Sequence, residues 1–345
     1  MLPSFIVVTP ALRWLAISPM HIPDGFLSAP VSLVCAAVST AGVTAACLRA
    51  RIAADRRRTA LTGVTAAFVF AAQLLNFPVA GGTSGHLVGG VLAAVLLGPS
   101  TAVVVMTAVL VVQCLVFGDG GLLALGANVL NMAIVHPLVG FALYRLIAGR
   151  AGPRGVRGIA SAAFGSWTAT VVAAATCAGE IALSRIAAAA LVLPAMLAVH
   201  LATGLGEAVI TGLVLAALAR LRPELLRSAT AAPSPSAKRP ASIAVLGLSV
   251  ASALAFFVSP FACKWPDGIE RVVERIGLEP SQARITLPAP FGGYVIPGLG
   301  GSFLAMSVAA IMGTLLAFGV CLAIGRGLMP RTPPREDARV TPSRS

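Results

Sequence analysis

Residues 100–117 read Ser-Thr-Ala-Val-Val-Val-Met-Thr-Ala-Val-Leu-Val-Val-Gln-Cys-Leu-Val-Phe, 18 residues without a charge. Wound as an α-helix that rises 1.5 Å per residue, the stretch extends about 27 Å. The hydrocarbon core of a bilayer is roughly 30 Å thick, so the segment reads as a membrane span. Similar runs fall at 26–48, 59–76, 86–98, 122–144, 159–182, 189–219, 241–260 and 297–325. Together they predict an all-α polytopic membrane protein with about nine transmembrane helices. The run at 86–98 is short, which predicts a tilted or re-entrant segment on one side of Gly98-Pro99.

Composition supports this class. Hydrophobic residues make up 57% of the chain and charged residues 11%. An ordinary soluble domain carries about 25% charged residues, which its surface needs. The net charge is +13, and 23 of the 25 basic residues are arginines. Most sit in loops between apolar runs, and aromatic residues reach only 6%. That pattern is not one for nucleic acid, which calls for basic faces or tails interleaved with stacking aromatics. It is the loop arginine bias of a membrane protein. Threading nine spans puts the arginines near residues 49–58, 145–157, 220–239 and 326–344 on one side, the cytoplasm.

The other side receives three polar strings: Met20-His21-Ile22-Pro23-Asp24-Gly25, Asn76 through His86, and Gly118-Asp119-Gly120-Gly121. If the working chain begins at Met20, its α-amine, the His21 amide and the His21 Nδ1 can close on one ion as fused five- and six-membered rings. Three nitrogens in one plane suit Ni(II), Cu(II) or Co(II). His86, at the end of a glycine-rich loop, is a candidate for a fourth nitrogen. Taken singly, His21 also reads as an exposed residue near a chain start. His86 reads equally as a residue near a helix cap formed by Thr83 or Ser84. Residues 1–19 read as an upstream-start extension or a leader.

His200 and Glu207 lie seven apart, on one helix face. They read either as a polar contact between helices or as a site on a path through the membrane. Glu180, near an outer helix end, reads as a possible attractor of cations. His136 is expected near the cytoplasmic end of its span, in a structural role. The six cysteines form no C-x-x-C pair and sit mostly in apolar runs, which argues against a disulfide framework. No G-x-x-x-x-G-K-[ST], G-x-S-x-G or H-E-x-x-H string occurs, so the chain has no P-loop of its own.

Met-His-Ile-Pro-Asp-Gly-Phe-Leu-Ser at 20–28 and Asn-Phe-Pro-Val-Ala-Gly-Gly-Thr-Ser-Gly-His at 76–86 resemble the hallmark segments of a known family. It is the substrate-binding component (CbiM/NikM type) of cobalt/nickel energy-coupling factor transporters. Asp119-Gly120-Gly121, the stretch Ala124–Asn128 with Asn131-Met132, and Gly206 through Thr211 are similar to it as well. The resemblance covers about residues 20–222 and implies a near-planar nitrogen site of Met20, His21 and His86. Asn76, Thr83 and Ser84 are candidates for fixing the imidazoles from behind. After a Pro/Ser/Ala-rich linker at 223–240, residues 241–325 resemble the small PDGLE-type subunit (CbiN/NikN-like). That likeness rests on Pro266-Asp267-Gly268-Ile269-Glu270 and Val295 through Leu299, with Ile269 in the place of Leu. A basic tail, 326–345, follows.

The resemblance implies a transport subunit rather than an enzyme. It would import nickel or cobalt as substrate, without a resident cofactor, from the external side of a prokaryotic cell membrane. A coupling membrane protein and ATP-binding cassette ATPases would be its partners. The rival readings are a stand-alone secondary transporter or channel for divalent cations, and an intramembrane metalloenzyme with an open metal position.

Overall fold

The computed structural model describes residues 21–52, 56–79, 82–149, 152–226, 240–275, 277, 289–296 and 302–329. Met20, residues 1–19, most of the linker and most of the tail lie outside the described residues. The architecture is a helical bundle: α1 (Ala29–Ile52), α2 (Arg56–Gln73), α3 (Gly90–Leu97), α4 (Pro99–Phe117), α5 (Leu125–Asn128), α6 (His136–Ala148), α7 (Val156–Leu183), α8 (Ala189–Leu221), α9 (Pro240–Phe257), α10 (Gly268–Arg275) and α11 (Phe303–Leu328). A π-helical stretch, Val129–Val135, joins α5 to α6, so Leu125–Ala148 forms one span.

Seven of the nine expected spans are long and apolar enough to cross a bilayer. The other two differ for physical reasons. α2 has three arginines at its start among 18 residues, and its apolar part is enclosed by protein, with Ala66, Ala67, Val69 and Phe70 fully buried. α3 has eight residues, about 12 Å of helix. Non-helical residues 86–89 precede it, with Gly89 at φ 79°, and Gly98, at φ 87°, turns the chain directly into α4. The segment expected to be re-entrant or tilted is therefore non-helical over 86–89 and helical over the next eight residues.

The arginine-rich ends alternate correctly along the chain. Arg49 and Arg51 end α1, Arg56 begins α2, Arg145 ends α6, and Arg220 and Arg326 close α8 and α11. They gather at one end of the bundle. There Arg157 of α7 donates through Nη2 to the Ile147 carbonyl at 2.8 Å. The polar strings gather at the arginine-poor end, here called the outer end.

Two features were not expected. Residues 77–79 and 83–85 form a small antiparallel hairpin, β1 and β2, pairing Phe77 with Gly85 and Val79 with Thr83. Gly82 sits at φ +71° in its turn. The π-helical stretch precedes Pro137, whose missing N–H cannot continue the α-helical ladder. His136 N–H instead reaches back five residues to the Asn131 carbonyl. His136 itself lies in the middle of its span and is fully buried, not near the cytoplasmic end as expected. Its Nε2 is 3.4 Å from Thr170 Oγ1.

The two halves share one core. Ala255, Tyr294, Ala309, Ala310, Ala317 and Cys321 of the C-terminal part join Phe70, Met106, Leu110 and Phe117 of the N-terminal part in a single buried cluster. Small residues set the closest helix approach, as they commonly do in membranes. A Cβ on Gly165 of α7 would lie 2.6 Å from the Gly140 carbonyl oxygen of α6. Gly165→Leu should therefore force these helices apart. The expected result is an aggregated or polydisperse peak in detergent gel filtration, where Gly179→Leu, in open space on the same helix, remains monodisperse.

Candidate functional site

The site is built where three non-helical segments meet beneath the outer end. The first is residues 21–28, pinned by side chains rather than by secondary structure. Asp24 accepts from the backbone N–H groups of Leu122, Leu123 and Ala124 at 3.1, 2.7 and 3.3 Å. Asn128 holds both polar groups of Ile22: Oδ1 accepts from its N–H at 3.0 Å, and Nδ2 donates to its carbonyl at 3.1 Å. Gly121 N–H donates to the same carbonyl at 2.9 Å. Gly120, at φ +93°, lets the chain pass close by, since a Cβ there would lie 2.9 Å from the His21 Cβ.

His21 ends this segment, 3% exposed. Its Nδ1 lies 3.0 Å from Asp119 Oδ1 and 3.2 Å from the Asp119 carbonyl. Burial works against a charge on the ring, but the Asp119 carboxylate and its hydrogen bonds outweigh burial and hold the His21 pKa above its usual value. The ring nitrogen expected in the chelate is thus held by a carboxylate, and Nε2 is buried without a hydrogen-bond partner among the described residues. Asp119 is braced in turn by Tyr294, whose hydroxyl donates to Oδ2 at 2.9 Å. Tyr294 stacks on Phe117 at 4.6 Å between ring centroids.

The second segment is the hairpin and the non-helical residues 86–89. Chain outside helix and sheet leaves its N–H groups without ladder partners, which is costly away from water. Glu207 of α8 supplies the acceptors: Val88 N–H donates to Oε2 at 2.6 Å and Gly89 N–H to Oε1 at 3.0 Å. Ser166 donates to Oε1 at 3.3 Å. Glu207 is therefore a polar contact between elements and is not paired with His200. This anchor sets His86, whose ring faces that of His21 edge-on with centroids 6.0 Å apart. Two imidazoles can reach one ion across such a gap, because each centroid sits roughly 3 Å from a metal bound at 2.0–2.1 Å. Nδ1 of His86 lies 3.2 Å from the Leu87 carbonyl, so it carries the proton and Nε2 the lone pair.

The third segment comes from the C-terminal part and closes the site from above. Ser84 N–H donates to the Pro266 carbonyl at 2.8 Å, and Ser84 Oγ to the Trp265 carbonyl at 2.7 Å. The Asn76 carbonyl accepts from Cys263 N–H at 2.8 Å. Ser84 and the Asn76 backbone thus hold this covering loop rather than an imidazole, and Thr83 is buried in β2. Asp267 caps α10, its Oδ1 accepting from Glu270 N–H at 2.8 Å. Burial, and then the neighbouring Glu270 charge, push the Asp267 pKa up to about 7.

His21, His86, His200 and Asp267 line one cavity of about 90 Å³. Among the described residues, no group of three or more His, Cys, Asp or Glu side chains is placed to hold an ion. The expected site instead draws on main-chain nitrogens and two imidazoles. Glu180 lies apart, accepting from Asn131 Nδ2 at 2.8 Å, and ties α7 to the π-helical stretch. The sequence reading missed Asp24, Asn128 and Tyr294 as site residues. Asp119 and Asp267 stood inside motifs already noted, but nothing local signalled that they face the same histidine-lined space.

Fold and site define a multi-pass membrane protein with a buried imidazole site under a lid formed by its own C-terminal part. Comparison with known proteins gives the family. Residues 21–225 match the CbiM family, described as the cobalt uptake substrate-specific transmembrane region, and residues 241–329 match the PDGLE domain. The chain belongs to the CbiM family of nickel/cobalt transport proteins, in a form fused to a PDGLE domain. It is 35% identical over 309 residues to a protein of Archaeoglobus fulgidus named as a fused nickel transport protein, NikMN, covering 89% of this chain and 98% of that one. It is 34% identical over 333 residues to the fused nickel transport protein LarMN of Lactiplantibacillus plantarum, covering 91% and 98%. A crystal structure of a truncated transition metal transporter superposes with a TM-score of 0.51 at 36% identity, covering 58% of this chain and 98% of that chain.

The Glu207 anchor is directly testable. Glu207→Ala would leave two buried N–H groups without acceptors, each costing about 1–3 kcal/mol. The expected outcome is a lower melting temperature together with weaker metal binding, and Glu207→Gln, which keeps one acceptor oxygen, should recover part of both. Thermal unfolding in detergent and metal titration measure the two effects.

Proposed function

We propose that this chain is the substrate-binding component of an energy-coupling factor importer that captures Ni(II) or Co(II) from outside the cell. The observation that carries the reading is the meeting of His21 and His86 across a buried cavity, 6.0 Å between ring centroids, beneath the C-terminal loop. With Met20 as the first residue of the working chain, the ion is held by its amine, the His21 amide and Nδ1, and the His86 Nε2. Loading exchanges the His21 Nδ1–Asp119 hydrogen bond for a metal bond. The Asp119 carboxylate, still held by Tyr294, then lies beside the dication and offsets its charge.

The chain is a transport subunit, and the relatives carry transport names. ATP hydrolysis belongs to separate cassette subunits, coupled through a membrane partner. The arginine-rich end faces the cytoplasm of a prokaryotic plasma membrane, so the histidines open outward. The stand-alone transporter reading loses its main support, because Glu207 is engaged by backbone amides rather than lining a path with His200.

The test is titration of the purified protein, produced with Met20 as its first residue so that its amine is free, with Ni(II) and Co(II). Losing a residue behind a metal ligand typically costs 10–100-fold in affinity, so His86→Ala, which removes a ligand, should cost more than about a hundredfold. Zn(II), which prefers tetrahedral sites, should compete poorly. Affinity should fall in acid, because ligation releases protons from amine, amide and imidazole. Wild-type affinity in His86→Ala would overturn the site, and acetylation of the Met20 amine without effect on binding would remove that ligand.

A further inference from the structure

His200 lines the cavity but has no role in the capture set of Met20, His21 and His86. Its Nδ1 lies 2.8 Å from the Met196 carbonyl, which only accepts, so Nδ1 carries the proton and Nε2 the lone pair. His86 repeats the arrangement with the Leu87 carbonyl at 3.2 Å. Both rings line the cavity, and in each one ring N–H is tied to a main-chain carbonyl, as is common in metal-binding histidines. The two rings come from adjoining chain. Gly85 packs directly against Thr203, the residue three beyond His200 on α8. Glu207, four further on, anchors Val88 and Gly89. His200 is thus nearer the outer end than this anchor.

The C-terminal loop completes the surroundings. A Cβ on Gly268 would lie 2.9 Å from His200 Nε2, so the bare backbone at Gly268 sits over that edge of the ring. Buried Asp267, next to it, puts a carboxyl group on the same cavity. A single water needs roughly 10–15 Å³ of such space, so the cavity of about 90 Å³ admits an ion that keeps part of its hydration.

We infer that His86 and His200, through their Nε2 atoms, form an entry station that holds a divalent cation before the N-terminal chelate closes, with Asp267 beside it. The inference rests on the capture site proposed above and adds a step to it. Closing the chelate requires loss of an amide proton and of the His21–Asp119 hydrogen bond. Two neutral imidazoles bind without either change. The ion then passes from the pair to the chelate while His86 stays bound throughout.

The experiment uses the full chain carrying His21→Ala, which disables the chelate and leaves the station. Cu(II) bound to this variant should show nitrogen superhyperfine couplings from two imidazoles by electron paramagnetic resonance. Co(II) should bind with a visible absorption spectrum that is lost when His200→Ala is added. One imidazole on Cu(II), or Co(II) binding indifferent to His200→Ala, overturns the station. The Cu(II) measurement needs no change at His200, so a misfolded His200 variant does not block the test. In the otherwise native chain, His200→Ala should slow Ni(II) loading about tenfold while leaving the end-point affinity and spectrum unchanged. An equal loss of end-point affinity would make His200 a ligand of the final site and overturn its transient role. Failure of the native chain to bind Ni(II) tightly would count against the capture site instead, and the His21→Ala arm would still judge the station.

Discussion

A stretch of non-helical backbone below a membrane surface survives only if its N–H groups find acceptors, and here one carboxylate provides them. Glu207 receives both Val88 and Gly89. Without it the segment between the hairpin and α3 would have to wind into helix or rise to water. Either change would move His86 away from His21. The same anchor explains why α3 is so short: the first half of this pass is spent unwound, and eight residues complete it. Non-helical chain at membrane depth is tolerated where protein buries it, and α7, α8 and the covering loop do so here.

The N-terminal segment obeys the same constraint with different means. It has no helix or strand to satisfy its backbone, so Asn128 and Gly121 serve Ile22, and Asp24 in turn serves three amides of the loop before α5. These contacts leave little freedom to His21. A ring that is already ordered loses less entropy on binding an ion, which is the advantage of a site prepared in advance. A carboxylate holds the ring at Nδ1, the atom that the proposed function assigns to the ion.

The PDGLE part is more than an appended pair of helices. α9 and α11 share the buried cluster around Phe70 and Phe117. Its loop supplies Tyr294 to Asp119, two carbonyls to Ser84, and Asp267 and Gly268 to the cavity. Fusion keeps this lid at a high effective concentration over the site, which makes its docking an intramolecular event.

Much of this was legible in the sequence, because membrane spans are written in uninterrupted apolar runs and their orientation in arginine placement. The spans around 100–117, 159–182 and 189–219 are set by the cost of leaving apolar surface in water or backbone polar groups in lipid, whatever their neighbours. Met20-His21 and the glycine-rich loop to His86 were legible as nitrogen donors, since amine, amide and imidazole chemistry belongs to the residues themselves. Tertiary structure alone decided the rest. The midspan position of His136, the engagement of Glu207 by distant amides and the bond from Tyr294 to Asp119 join residues far apart in the chain. Nothing local in the sequence encodes such pairings, because a buried polar group can be satisfied by any partner that packing brings within reach. The sequence determined which groups could bind a metal and which segments cross the membrane; packing decided which of those groups face one another.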